Sequence, residues 1–426
     1  MDIPLAYFIL MALAMGLVLL PQFRFVDNHA SSSGHYAALD GLRGFAALSV
    51  FVHHLVIYYY YIDTGLWSIT NSRFYALLGP VGVSLFFMIT GFLFWGKMLR
   101  TRGRPDWRSL YIRRLFRIGP MYLFVVLVML FIVFAKTDFQ LYEPLSVVMW
   151  SVFQWLALGI IDTQPDVNTY KATHVLAGVT WTIYYEWIFY ASLVLSAFFS
   201  RGKWHMLFIT VGIVLSLLGK VLLDLHVSGL ALLFLCGMMA ASLLHENFQL
   251  RISQRLLSIL AISCISILLI TSSNGYGTLT SLMLALFFYL VVSGANLFGL
   301  LTCLPAVRLG NISYSIYLMQ GLVLTAIFAI PAVREFAMTS SLSYWTIGLL
   351  CLYTLIICAA LGYVFIEKPG IAIGNCLLQR KTETVAVQGP LQNRGTGSLT
   401  ANDLAARKQE CLGFGHLFFQ RPRSGH

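Results

Sequence analysis

Apolar runs long enough to cross a bilayer recur along almost the whole chain, separated by short polar turns. They predict spans near 40–61, 79–97, 118–135, 181–199, 206–223, 229–244, 256–272, 277–297, 311–330 and 342–366. A span takes about 20 residues because the hydrocarbon core is about 30 Å thick and a helix rises 1.5 Å per residue. The helix is favoured there because it satisfies its backbone polar groups internally. The run 145–161 is apolar but short, and reads as an interfacial or re-entrant element. The first run, "IPLAYFILMALAMGLVLL" at 3–20, has no basic flank beyond the α-amine and no small-residue cleavage site. It reads as an uncleaved anchor or extra span, so that 1–35 is an anchor followed by a cytoplasmic linker. The chain beyond Arg380 is rich in Gly, Gln, Thr and Asn with no apolar period, which predicts a disordered cytoplasmic tail over 373–426. The expected fold is all-α: a polytopic helical membrane protein with about ten core transmembrane helices over 36–372 and an extra N-terminal span.

Composition agrees. Of 426 residues 58% are hydrophobic and 11% charged, far below the roughly 25% charged residues of soluble domains. The net charge of +11 sits mainly in loops, where it sets topology rather than binding nucleic acid. With the 97–117 loop cytoplasmic, Arg201, Lys203, Arg251, Arg255, Arg308, Lys368, Arg380 and Lys381 fall on the same side. Only Arg73, Lys136, Lys171 and Arg334 fall on the other. The seven cysteines avoid the external loops, so no disulfide framework is expected. No metal site is expected either. The long external connection 136–180 mixes acids with proline and aromatics and could lid an external cavity.

Against this background the segment "ALDGLRGFAALSVFVHHL", 38–55, carries Asp40, Arg43, His53 and His54. At 100° per residue, Asp40 lies about 60° and His54 about 20° from Arg43, while His53 lies about 80° to the other side. Asp40, Arg43 and His54 therefore share a stripe that runs roughly 16 Å into the helix. A paired cap explains Asp40 and Arg43 equally simply, and a core imidazole explains His54. The sharper reading makes His54 a general base, since imidazole titrates nearest neutral pH. Arg114 and Arg117, three apart, share a helical face, and guanidinium forks suit phosphates; snorkelling to headgroups is their alternative. Glu186, read as one turn inside the external end of its span, is an intramembrane acid and so a functional candidate, with an interhelical hydrogen bond as its plain alternative. Gly79, Gly82 and Gly91 would allow close helix approach. Tyr314 and Gln320 line a cavity or tie helices together. Glu367–Lys368–Pro369 is expected to end the last span.

The stretch "LDGLRGFAALSVFVHH" resembles the signature of the acyltransferase-3 family of integral membrane acyltransferases. The resemblance continues in order through "GVSLFFMITGFLF", "YIRRLFRIGPMY", "WTIYYEWIFY", "LGNISYSIYLMQ" and "FIEKP", over about 40–370. It implies His54 as the essential histidine and Asp40, Arg43 and Glu186 as its supporting residues. It further implies acyl-CoA, acetyl-CoA in the first instance, as a co-substrate held by Arg113, Arg114 and Arg117. A carbohydrate acceptor near Trp181, Tyr185, Tyr314 and Gln320 follows from the same likeness, with no bound cofactor and a place in the bacterial inner membrane. One departure is plain: the late motif usually ends in Trp-His, and this chain has Met319 and Gln320. The rival from another class is a secondary transporter using the Asp40/Arg43/His54 stripe as a relay, although no inverted pair of broken spans supports it. A third is a silent scaffold.

Overall fold

The computed structural model describes residues 4–27, 37–69, 72–248, 250 and 252–387. The linker 28–36, Arg251, Cys411 and the tail from 388 lie outside the described residues, as do the side chains of Arg380 and Lys381. The helices are α1 (Leu5–Leu19), α2 (Ala37–Thr64), α3 (Arg73–Arg100), α4 (Trp107–Lys136), α5 (Leu145–Leu156), α6 (Ala172–Val175), α7 (Trp181–Ser196), α8 (His205–Leu223), α9 (His226–His245) and α10 (Gln254–Thr271). They continue as α11 (Thr278–Val292), α12 (Leu304–Asn311), α13 (Ser313–Phe328), α14 (Pro331–Met338), α15 (Ser341–Gly362) and α16 (Lys368–Val387). Among the described residues there is no strand, only an isolated bridge between Val167 and Tyr170. The protein is an all-α, polytopic membrane protein.

Each of the ten expected spans has its helix. Eight helical stretches are long and apolar enough to cross a membrane, α15 doing so together with its continuation to Gln379. The other two differ from simple spans. α11 has only 15 residues, and the late span is broken into α12 and α13, which meet at 68°. The break follows from close packing at the basic end. A Cβ on Gly310 would lie 2.0 Å from the Asp40 carbonyl oxygen, and one on Gly44 2.7 Å from Leu309 Cβ. Glycine on both partners lets α12 lie against α2, and the chain must turn at Ile312 to rise as α13. In α3, Gly82 and Gly91 meet the carbonyl oxygens of Ala46 and Phe234 at a comparable distance.

α1 is clamped to the bundle at one end. Arg308 on α12, 3% exposed, forks onto Asp27 at 2.7 and 2.8 Å and donates to Val18 O at 2.7 Å. The last turn of α1 therefore keeps a partner for an otherwise orphaned carbonyl.

Glu367–Lys368–Pro369 does not end the last span. A five-residue π turn, Tyr363–Glu367, leads into α16, which stays helical to Val387, past residue 373. Pro369 lies just past the π turn inside the continuous helical stretch Ser341–Gln379, so the helix carries on through a residue that cannot donate. Gly370 and Gly374, one turn apart, press α16 onto Pro120 and Phe116 of α4, and this docking holds a helix that composition alone did not predict.

The connection 136–180 enters the bundle, and its residues Lys136, Tyr170, His174 and Val175 also line a cavity there. α5 is a 12-residue helix, in keeping with an interfacial element. Beyond it, Asn168 ties the chain by donating to Thr137 Oγ1 and Gln140 O and accepting from Tyr142 N. Val175, Leu176, Ala177 and Val179 are buried. Leu176 and Ala177 lie against Gly321 in the middle of α13, where a Cβ would come within 2.2 Å of backbone. Consequently α7 starts deep in the protein.

His174 in this connection stacks on Trp67 with centroids 4.9 Å apart. Burial and the Lys171 charge push its imidazole below the usual range, against the pull of Asp166. The unfolded segment takes up a proton more readily, so its stability is complete above about pH 6.5 and falls as pH drops below that. Amides of 172–179 are expected to exchange faster at pH 5 than at pH 7 after correction for intrinsic rates; in His174→Gln the difference should vanish.

Candidate active site

α2, α3, α4, α7 and α13 enclose a charged cavity of about 90 Å³. Arg43, Arg114, Arg117, Glu186, Tyr190 and Tyr314 all line it. Asp106 caps α4 by accepting from Ser109 N, which fixes where the helix begins and hence where Arg114 and Arg117 project. The Arg114 guanidinium lies 4.3 Å over the Phe94 ring and 5.8 Å from the Tyr190 centroid, a cation–π arrangement that orients it. Tyr190 donates to Glu186 Oε2 at 3.0 Å, and Tyr111 donates to Tyr190 O at 2.8 Å. Tyr314 donates to Ile118 O at 2.9 Å, tying α13 to α4.

Charges inside a membrane protein persist when they face one another or a wet cavity. Here Arg43 pairs with Asp40 at 3.1 Å. Glu186 is within electrostatic reach of Arg114, Arg117 and Arg43. Glu367, 1% exposed, accepts from Ser315 Oγ at 3.0 Å and interacts with Arg117. Three arginines thus meet three carboxylates, and a phosphate-bearing group is the kind of ligand that three guanidinium groups can hold.

His54 sits one side chain beyond this cavity. Gln320, fully buried, donates its Nε2 to Tyr317 O at 2.8 Å, so its Oε1 turns toward His54. The His54 Nδ1–H donates to that oxygen at 3.3 Å, which leaves Nε2 with a free lone pair. Tyr317 itself lines the cavity and donates to Val179 O at 2.9 Å. His53 points at α3, with Nδ1 bonded to Tyr75 O at 2.8 Å and the ring against Gly79. The two histidines therefore face different neighbours, as their 100° separation requires.

The structure brings together Arg43, Arg114, Arg117, Glu186 and Tyr314, with Asp40 paired to Arg43; His54 and Gln320 stand outside the cavity wall, Gln320 one turn along α13 from the wall residue Tyr317. It does not bring in three others. Arg113 is exposed and is not part of the cavity wall. Trp181 and Tyr185 turn into an aromatic cluster with His226 and Tyr276. Glu186 lies with the arginines and not near the external surface, because α7 begins deep behind the inserted connection. Glu367, Tyr190 and Tyr317 were not singled out from sequence. Glu367 had a signal, an acid closing an apolar span, but was read as a helix terminator.

Residues 36–363 match the profile of the acyltransferase-3 family, described as an acyltransferase domain. No curated protein and no solved structure matches the chain. The match covers well over half the chain and runs through every helix of the charged cavity, and it favours transfer chemistry over secondary transport. The chain belongs to the acyltransferase-3 family and is a multi-pass membrane acyltransferase.

Proposed function

We propose that the protein moves an acyl group, acetyl in the first instance, from cytoplasmic acyl-CoA to a hydroxyl of an envelope or exported carbohydrate in the bacterial inner membrane. The observation that carries this reading is the adjacency of the arginine-lined cavity to His54 through Tyr317 and Gln320. Arg114 and Arg117 take the phosphates of CoA, and Arg43, held by Asp40, adds a third cation. The pantetheine arm then points the thioester past Tyr317 toward His54.

His54 Nε2 removes the proton of the acceptor hydroxyl as its oxygen attacks the thioester carbonyl. The tetrahedral intermediate expels the CoA thiolate, which takes that proton back from the imidazolium. An ester and free CoA result. A two-step route through an acyl-imidazole on Nε2 gives the same balance. Glu186 and Glu367 keep the arginines positioned without neutralising any one of them by a direct ion pair.

The test uses purified protein in nanodiscs with radiolabelled acetyl-CoA and an envelope glycan extract. Label should enter glycan; recovery of all label as acetyl-CoA or free acetate, with acceptor shown to be present, would sink the reading. A second measurement addresses Gln320. Gln320→Leu leaves the His54 Nδ1–H unpaired in a buried site, a change worth about 1–3 kcal/mol. We expect kcat to fall about tenfold to a hundredfold, with KM for acyl-CoA nearly constant. Gln320→His, which restores an acceptor, should recover most of the loss.

A further inference from the structure

A larger cavity, about 520 Å³, opens at the end of the bundle opposite the basic loop. Tyr58, Tyr61, Tyr170 and His174 wall it, and Lys136, Arg334 and Glu335 also face it. Its aromatic side is held rigid. His174 stacks on Trp67 at 18°, and Tyr61 meets both rings edge-on at 5.3 and 5.5 Å. Preorganised aromatic faces with a few convergent polar groups are the usual makings of a small-ligand site. The floor is polar: Tyr58 and Thr325 share a hydroxyl hydrogen bond of 2.6 Å, and Thr325 donates to Val175 O at 3.3 Å.

The floor lies next to His54. Tyr58 follows His54 by four residues on α2, one turn or about 6 Å along the same face. Thr325 follows Gln320, the partner of His54, by five residues on α13. His54 therefore stands between two cavities, with Tyr317 toward the charged one and the Tyr58–Thr325 bond toward the aromatic one. We propose that the aromatic groove is the acceptor site, that it takes a carbohydrate bearing an acidic group, and that a sugar hydroxyl reaches His54 by replacing the Tyr58–Thr325 hydrogen bond. This rests on the transferase reading above. The acidic preference follows from two cations, Lys136 and Arg334, facing one acid, Glu335, in the same cavity. Thr325 donates to Val175 O, so Tyr58 is the donor of that bond; the incoming hydroxyl oxygen can accept from Tyr58 in place of Thr325 and keep its own proton for His54 Nε2.

Equilibrium binding of radiolabelled trigalacturonate and maltotriose to the full chain in nanodiscs tests this, with acetyl-CoA binding measured on the same preparations. Wild type should bind trigalacturonate more tightly than maltotriose. Lys136→Ala/Arg334→Ala should weaken the acidic sugar at least tenfold and erase the preference, and Tyr61→Ala should weaken both sugars. Unchanged acetyl-CoA binding would show that these variants are folded. Binding of neither sugar by wild type, or wild-type affinity in both variants, would overturn the proposal. Sugar binding that is retained while wild type fails to bind acetyl-CoA would uphold the groove and count against the transferase reading instead.

Discussion

His54→Ala is expected to lower kcat by a factor on the order of 10² to 10⁴ while leaving acyl-CoA binding within about twofold. The prediction follows from position. His54 does not line the arginine cavity, so its removal takes no contact from the site proposed for the CoA phosphates, and it stands between the cavities proposed for donor and acceptor. The natural control is His53→Ala, which needs care. His53 is buried against Gly79 and bonded to Tyr75 O, so its loss removes a buried hydrogen bond and a packed ring and costs about 1–3 kcal/mol of stability. Rates must therefore be expressed per folded molecule. His53→Ala should then retain most of its rate with a lowered unfolding midpoint. A His54→Ala enzyme keeping more than a tenth of wild-type kcat would remove imidazole from the chemistry, and so would equal losses in both variants.

The second large effect concerns stability. Asp27→Ala is expected to destabilise the protein by about 3–5 kcal/mol, because it strands a buried guanidinium. The side chain of Arg308 is 4% exposed and that of Asp27 33%, so the two partners are not equivalent. Without Arg308, Asp27 can turn to water; without Asp27, Arg308 keeps only backbone carbonyls. Arg308→Met should therefore cost less than Asp27→Ala, and the double variant should resemble Arg308→Met. Unfolding midpoints in detergent, with protease access to α1 as a second readout, decide the order. If Asp27→Ala proves the milder of the two, the clamp does not hold α1 through charge.

What could be read from sequence divides along physical lines. Span positions were legible because length and hydropathy answer directly to bilayer thickness. The divergence of His53 and His54 was legible because helix geometry is local. The placement of Arg114 and Arg117 on one cavity wall was legible from their spacing. Whatever depends on one segment entering another was not. Glu186 looked external because Trp181 begins an apolar run, and no local signal says that the preceding residues dive to Gly321. Arg308 counted as a topology-setting loop charge until its fork onto Asp27 appeared, a partner 281 residues away. Glu367 sat beside Lys368 and Pro369, two residues that suggest an ending, yet the helix passes through them. The aromatic groove draws on α2, α4, α6, α13 and α14, and no single stretch of chain announces it.

The clamp on α1 also bears on how the protein is made. Asp27 and Arg308 are separated by 281 residues, so α1 leaves the ribosome long before the arginine that secures its end. At about 5–20 residues per second the interval is roughly 14–56 s. During that time the end of α1 lacks the guanidinium that will fix it to the bundle. The charged pair then works as a late checkpoint: only a chain translated through α12 can lock α1 in place.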